Sequence, residues 1–258
     1  MNYFSTAILS IIQGLTELLP ISSSGHLLLA SELINLKPSL PLLTLLHFPS
    51  AVAILIFYRG ELIKTVQNLK LVDLGKFIIA IIPAGIVGVL AGDFIEEVFH
   101  MPQFIAFSLV LWGILMIFTE QKIKTRKKKQ NSIPIVKKVS WKQALFIGTM
   151  QILALVPGTS RSGITTLAGV WTGLEKGIAL DFSFIIGLPL LLGAFGFEFV
   201  KSGLDMDKNQ AVLLMVLTFI VSYCALFLLN KMKRMNFLTI FGIYRIILSI
   251  GIISVLLF

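Results

Sequence analysis

Charge is scarce in this sequence, and what there is leans one way. Of 258 residues only 14% are charged, with 22 Lys and Arg against 13 Asp and Glu, for a net charge of +9. Hydrophobic residues make up 56% and the mean hydropathy is +0.92. A soluble domain carries about 25% charged residues, so a water-soluble fold does not fit. Cysteine is nearly absent: Cys224 stands alone, which excludes an intrachain disulfide and any cysteine-based metal cluster, and its apolar surroundings read as packing. No basic region precedes the first apolar run and no small-residue cleavage site follows it, so that run is expected to stay in the mature protein.

What is present is long apolar runs. Crossing the hydrocarbon takes about 17–25 apolar residues. Six stretches qualify: Pro41 to Tyr58, Phe77 to Ile95, Pro102 to Phe118, Leu180 to Val200, Ala211 to Leu229 and Phe237 to Phe258. Residues 1–36 and 141–174 are also apolar, but Pro, Gly, Ser and Thr break each near its middle. Non-helical backbone at membrane depth survives only where protein buries it or a wet cavity lies beside it, so both read as re-entrant helix hairpins around a site. The expected fold is therefore an all-α integral membrane protein with six transmembrane helices and two re-entrant hairpins.

Counting Lys and Arg in short loops orients the chain. Arg59, Lys64, Lys70, Lys76, the run from Lys122 to Lys142, Lys176, Lys231, Lys233 and Arg234 fall on one side. Only Lys37, Lys201 and Lys208 fall on the other, with Glu32, Glu96, Glu97, Asp205 and Asp207. Both termini are then outside, and the hairpins enter from opposite faces. Arg126-Lys127-Lys128-Lys129 has no aromatic interleaving and reads as a solvated cytoplasmic connector, with no nucleic-acid role. Sliding the first hairpin 138 positions carries Gln13 onto Gln151, Leu15 onto Leu153, Ser22 onto Ser160, Ser24 onto Ser162 and Gly25 onto Gly163. With opposite insertion, that is the pattern of an inverted-topology repeat. The halves are 1–119 and 141–258, each a hairpin followed by three spans, joined by a basic loop at 120–140.

Ionisable residues at membrane depth cost about 2.5–3.5 kcal/mol each and are functional candidates by default. Glu17 lies four residues after Gln13, so both share a helix face. Pro20 ends that helix, and Ser22-Ser23-Ser24-Gly25 leads into a new one at His26, whose free N–H groups suit an anion. The second turn, Pro157-Gly158-Thr159-Ser160-Arg161-Ser162-Gly163, offers a guanidinium fork for phosphate oxygens. Arg161 needs an anionic partner. Glu17 alone would give a structural ion pair, but a pair does not explain two Ser/Gly turns, so phosphate between them is the expectation. His26, close to Glu17 and the serines, suits acid–base work, whereas His47, Asp93, Glu97 and Glu198 read as structural. Arg245, inside the last span, either balances an acid or snorkels.

The segments QGLTELLPISSSGH (Gln13 to His26) and PGTSRSGITTLAG (Pro157 to Gly169) resemble the two signature motifs of the undecaprenyl-diphosphate phosphatase, or bacitracin-resistance, family. The DFSFIIGLPLLLGA stretch from Asp181 fits as well, so the resemblance covers nearly the whole chain. It implies six transmembrane helices with two re-entrant pairs in an inverted repeat, often dimeric, in the plasma membrane. It also implies hydrolysis of a polyprenyl diphosphate to the monophosphate on the outer face, recycling the cell-wall lipid carrier and conferring bacitracin tolerance. On the matching positions, Glu17 is the essential carboxylate, Ser23 the candidate nucleophile, His26 the essential histidine and Arg161 the phosphate-binding arginine. Gln13, Ser22, Ser24, Gly25, Ser160, Ser162, Gly163 and Thr165 are the polar and glycine positions around the phosphate. Gln13 stands where the family motif allows a second carboxylate, which leaves Glu17 to hold a Mg²⁺ or Ca²⁺. The nucleophile stays open among Ser23, His26 and water. A polyprenyl-phosphate flippase or secondary transporter would use the same architecture without hydrolysis.

Overall fold

The computed structural model describes residues 3–34, 40–68, 70–99, 101–123, 134–203 and 207–257, and among them all regular structure is helical. In chain order the helices are α1 (Tyr3–Thr16), α2 (Ser23–Leu33), α3 (Leu40–Leu45), α4 (His47–Phe57), α5 (Arg59–Gln67), α6 (Leu71–Phe99) and α7 (Pro102–Lys122). After short 3-10 turns at Ile135–Lys138 and, within the second broken region, Ile152–Leu155, the list completes with α8 (Trp141–Gln151), α9 (Arg161–Trp171), α10 (Lys176–Ser202), α11 (Lys208–Met232) and α12 (Phe237–Leu257). The Arg126 to Lys129 run, Lys37, Asp205 and the Asp93 and Glu96 side chains lie outside the described residues.

Five helices, α6, α7, α10, α11 and α12, are long and apolar enough to span a bilayer, which makes this a multi-pass membrane protein. The sixth expected span, Pro41 to Tyr58, is instead two short helices, α3 and α4, meeting at Leu46. Pro49 supplies the reason. In a continuous helix its ring would strike the carbonyl four residues back, that of Leu45, and α3 ends there. Cys224 is exposed on α11 and is not in the packed position its apolar surroundings suggested.

Both Ser-rich regions fold as helix–turn–helix units, α1–α2 and α8–α9, and their surroundings correspond. Helix α1 packs on α11 while α8 packs on α6; α2 touches α12 while α9 touches α7; α7 and α12 pack on each other, as do α4 and α10. With hydrocarbon outside, helices gain from close backbone approach, so small residues sit at the crossings. A Cβ at Gly14 would lie 2.8 Å from the Val221 Cβ, and one at Gly148 would lie 2.5 Å from the Ile79 carbonyl. Charged ties gather at one end of the bundle. The Lys176 ammonium meets Glu120, whose other oxygen accepts from the Leu238 N–H at 3.0 Å, and Lys233 meets Asp181, which also accepts from Tyr58 at 2.6 Å.

Gly148→Val is expected to destabilise the fold by about 1–3 kcal/mol through overpacking against α6. Gly92, with open space where a side chain would project, should accept Ala with no loss. Thermal unfolding of the detergent-solubilised variants checks both; equal midpoints for Gly148→Val and wild type would contradict the crossing.

Candidate active site

Each broken region turns at its middle for a local reason. Helix α1 ends at Thr16, although the Glu17 N–H still reaches the Gln13 carbonyl at 2.9 Å, which holds Glu17 at the end of the last turn. After Pro20 the chain re-enters helix at Ser23, three residues earlier than the sequence suggested. Ser22 is the N-cap, its Oγ accepting from the Gly25 N–H at 3.5 Å. In the second unit Ser160 caps α9 by accepting from the Gly163 N–H at 3.3 Å. Ser22 and Ser160, 138 positions apart, are the two non-glycine residues with positive φ among those described, at 72° and 70°. Such backbone strain persists only where the surroundings impose it, and it concentrates at ligand sites.

The turns meet. Ser24 Oγ accepts from the Gly158 N–H at 3.0 Å, and Ser162 Oγ donates to the Leu19 carbonyl at 3.3 Å. These two serines, expected as phosphate ligands, therefore stitch one turn to the other. Glu17 lies beside the seam. Its Oε2 accepts from Ser23 Oγ at 2.7 Å and from Gln13 Nε2 at 3.0 Å, and its Oε1 stands 3.8 Å from an Arg161 terminal nitrogen. That last separation is an ion pair but too long for a hydrogen bond. Arg161 reaches Glu17 from the first turn of α9, its other terminal nitrogen donating to the Ser183 carbonyl at 3.3 Å. Thr165 Oγ1 donates to the Arg161 carbonyl at 2.7 Å and contacts Ser183 Oγ at 2.5 Å, which fixes the root of that side chain. Gly25 and Gly163 fill first-turn positions where a Cβ would lie 3.2 Å from Leu109 and from Arg245, respectively.

His26 is placed differently from the expectation. Its Nδ1 lies 2.7 Å from the Ser22 carbonyl, which can only accept, so Nδ1 carries the proton. In the neutral ring Nε2 then accepts from Tyr244 Oη at 2.8 Å, with the two rings stacked 5.5 Å apart. The histidine within 4 Å of the Glu17 carboxylate is His47, its Nε2 3.8 Å from Oε2. His47 reads as structural from its sequence neighbours because the break at Pro49 that starts α4 there is what aims it inward.

Several site residues carry no sequence signal of their own. Tyr244 is one. Arg245, fully buried beside it, donates to the carbonyls of Pro20 at 3.3 Å, of Thr159 at 2.8 Å and of Gly158, so α12 joins both turns. Gly187 on α10 is another, because a Cβ there would run into the Arg161 guanidinium. Seven buried side-chain polar atoms make no hydrogen bond among the described residues, and four belong to this cluster: Gln13 Oε1, His47 Nδ1, the Arg161 terminal nitrogen that faces Glu17, and Arg245 Nε. Buried groups left unbonded cost about 1–3 kcal/mol each, so such a concentration marks a place where a polar ligand completes the set.

Glu17 Oε1 and Gln13 Oε1 are hard oxygen donors, and among the described residues no group of three His, Cys, Asp or Glu side chains could enclose a metal. That donor set fits a Mg²⁺ or Ca²⁺ whose shell phosphate oxygens complete, and it does not fit a closed Zn²⁺ site.

Residues 6–251 match the family described as bacitracin resistance protein BacA. The chain is 36% identical to undecaprenyl-diphosphatase 1 of Clostridioides difficile, over 98% of this chain and 96% of that protein. It is 37% identical to an undecaprenyl-diphosphatase of Thermosipho melanesiensis over 94% and 95%, and 34% identical to one from Enterococcus faecalis over 100% and 98%.

Gly187→Ala should displace the Arg161 guanidinium while leaving the helix intact, since Ala is the better helix former. Anion affinity is expected to fall by about tenfold or more, the effect of weakening one charge-assisted contact. Inorganic diphosphate binding by calorimetry checks it, and unchanged affinity in a folded variant would show that Arg161 has room to spare.

Proposed function

The chain belongs to the bacitracin resistance protein BacA family, and on that premise we propose that it hydrolyses undecaprenyl diphosphate to undecaprenyl phosphate and inorganic phosphate. The observation that carries the reading is the facing set of Arg161, Glu17 and Ser23 across two turns with unsatisfied polar atoms around them. A diphosphate brought into a low-dielectric pocket needs fixed positive charge and oriented donors. Arg161 and the N-termini of α2 and α9 provide them. A flippase would also need an anion site, but it gives no reason for a serine hydroxyl held 2.7 Å from a carboxylate.

In the proposed reaction Ser23 Oγ attacks the terminal phosphorus and its proton passes to Glu17 Oε2. The bond from that phosphorus to the bridging oxygen breaks, and undecaprenyl phosphate leaves with its charge held by Arg161. Water then displaces Ser23 from phosphorus: the new P–O bond forms as the Oγ–P bond breaks, Glu17 Oε2 returns its proton to Ser23 Oγ, and inorganic phosphate is released. His26, three residues after Ser23 and so on the same face of α2, takes the proton of that water on Nε2 as the water displaces the Tyr244 hydroxyl that Nε2 otherwise accepts from. Assigning the first proton to Glu17 departs from a histidine-led step because both His26 ring nitrogens are engaged elsewhere. A divalent cation held by Glu17 and Gln13 would add positive charge against the phosphate oxygens.

The same reading gives the chain its setting. The two helix–turn–helix units are re-entrant hairpins of an inverted repeat, with α3–α4 as the sixth, broken crossing. The exchanged packing of α1 on α11 and α8 on α6 supports a two-fold relation between halves 1–119 and 141–258. The Lys- and Arg-rich loops lie in the cytoplasm, the site opens to the outer face of the plasma membrane, and the protein works as a homodimer within it.

Purified protein given an isoprenyl diphosphate should release phosphate, and Arg161→Ala or Glu17→Ala should lower kcat by about 10²–10³-fold, the usual cost of losing a transition-state charge partner. A covalent phosphate on Ser23, trapped by acid quench and located by mass spectrometry, would support the serine step; phosphate on His26 would refute it. Chelation with EDTA is expected to abolish turnover and added Mg²⁺ or Ca²⁺ to restore it. Full activity in EDTA would remove the cation from the mechanism.

A further inference from the structure

Arg245 has no task in the reaction as drawn, yet it is the largest fully buried side chain among the described residues. Among the described residues no carboxylate stands within ion-pair distance of it, whereas Arg161 has Glu17. Its acceptors are three backbone carbonyls and the Met116 sulfur. Carbonyls satisfy N–H donors but carry no net charge, so the site keeps one cation that no described carboxylate neutralises. A neutral donor could tie the same carbonyls without the cost of a charge at membrane depth. The choice of arginine therefore calls for an anion.

The two turns supply the rest. The carbonyls that Arg245 bridges, Pro20 and Gly158, are 138 positions apart, the offset that carries Gln13 onto Gln151 and Ser22 onto Ser160. One guanidinium thus grips equivalent points of both turns, and a rigid planar fork fixes their separation as a flexible ammonium would not. Its nearer terminal nitrogen would lie 3.2 Å from a Cβ at Gly163, which puts the charge against the first turn of α9.

We propose that Arg245 is a positioning residue of the diphosphate site: it sets the gap between the two turns and contributes the unneutralised positive charge for the anion held there. The inference deepens the phosphatase reading and rests on it. Two functions separate under substitution. Arg245→Lys keeps the charge and loses the fork; Arg245→Met loses both.

The experiment uses full-length protein in detergent, with monodispersity and thermal unfolding recorded for each variant. Inorganic diphosphate affinity is measured by calorimetry, and kcat and KM are measured on a short-chain isoprenyl diphosphate. Arg245→Met is expected to weaken inorganic diphosphate binding by about tenfold or more, whereas Arg245→Lys stays within about threefold of wild type in affinity and loses about tenfold in kcat. A folded Arg245→Met with wild-type affinity, or an Arg245→Lys as weak as Arg245→Met, would overturn the charge role. An Arg245→Lys with unchanged kcat would overturn the spacing role, and it decides alone if Arg245→Met does not fold. Wild-type protein that releases no phosphate would overturn the phosphatase reading, and the calorimetric comparison would still decide the place of Arg245.

Discussion

Backbone that leaves the helix inside a membrane has to find its hydrogen bonds in the protein, because hydrocarbon offers none. The two broken regions of this chain, whatever their depth, find many of those bonds in each other. The Ser24 hydroxyl takes the Gly158 N–H, the Ser162 hydroxyl bonds to the Leu19 carbonyl, and Arg245 takes the Pro20, Gly158 and Thr159 carbonyls. Each turn's open backbone is thus held by the other half of the chain. The juxtaposition of Glu17 with Arg161, from opposite halves of the chain, follows from this mutual dependence.

The same constraint explains why the strained residues are serines. At φ near 70° glycine would be the easier choice, since it has no Cβ to clash. Ser22 and Ser160 accept that strain and in return cap α2 and α9, satisfying N–H groups that the helices leave without an internal partner. Their hydroxyls also contact those of Ser24 and Ser162, at 3.0 and 3.3 Å, which holds the cross-turn serines in place. Strain, capping and cross-linking are thus one device, built twice.

How far the sequence reveals this depends on the reach of each contact. Local grammar is legible: Pro20 and Pro157 mark the turns, Gln13 and Glu17 share a helix face as their spacing requires, and ionisable residues at depth point to Glu17 and Arg161. Contacts across hundreds of residues are not. Nothing near His26 names Tyr244, 218 positions away, and nothing near Gly187 says that a guanidinium lies against it. His47 is an intermediate case. The proline two residues on forbids a continuous helix through Leu45, so the break was readable, but the direction in which it turns the imidazole was not.

Charge placement separates the two arginines in a way their common burial hides. Arg161 faces a carboxylate across 3.8 Å, a distance at which each charge moderates the other without closing the contact, so an incoming anion can enter the guanidinium's reach without breaking a tight bidentate pair. Arg245 has its two terminal nitrogens committed to carbonyls and, among the described residues, no carboxylate against its charge. A site built from one loosely paired cation and one unpaired cation holds a net positive field before any ligand arrives, and it does so on rigid helix ends and not on long loops. Electrostatic stabilisation of a multiply charged phosphate works through such preorganisation, because the dipoles and charges need not rearrange as the bond to phosphorus breaks. The membrane makes the arrangement costly to build and, by excluding water, makes each charge within it count for more.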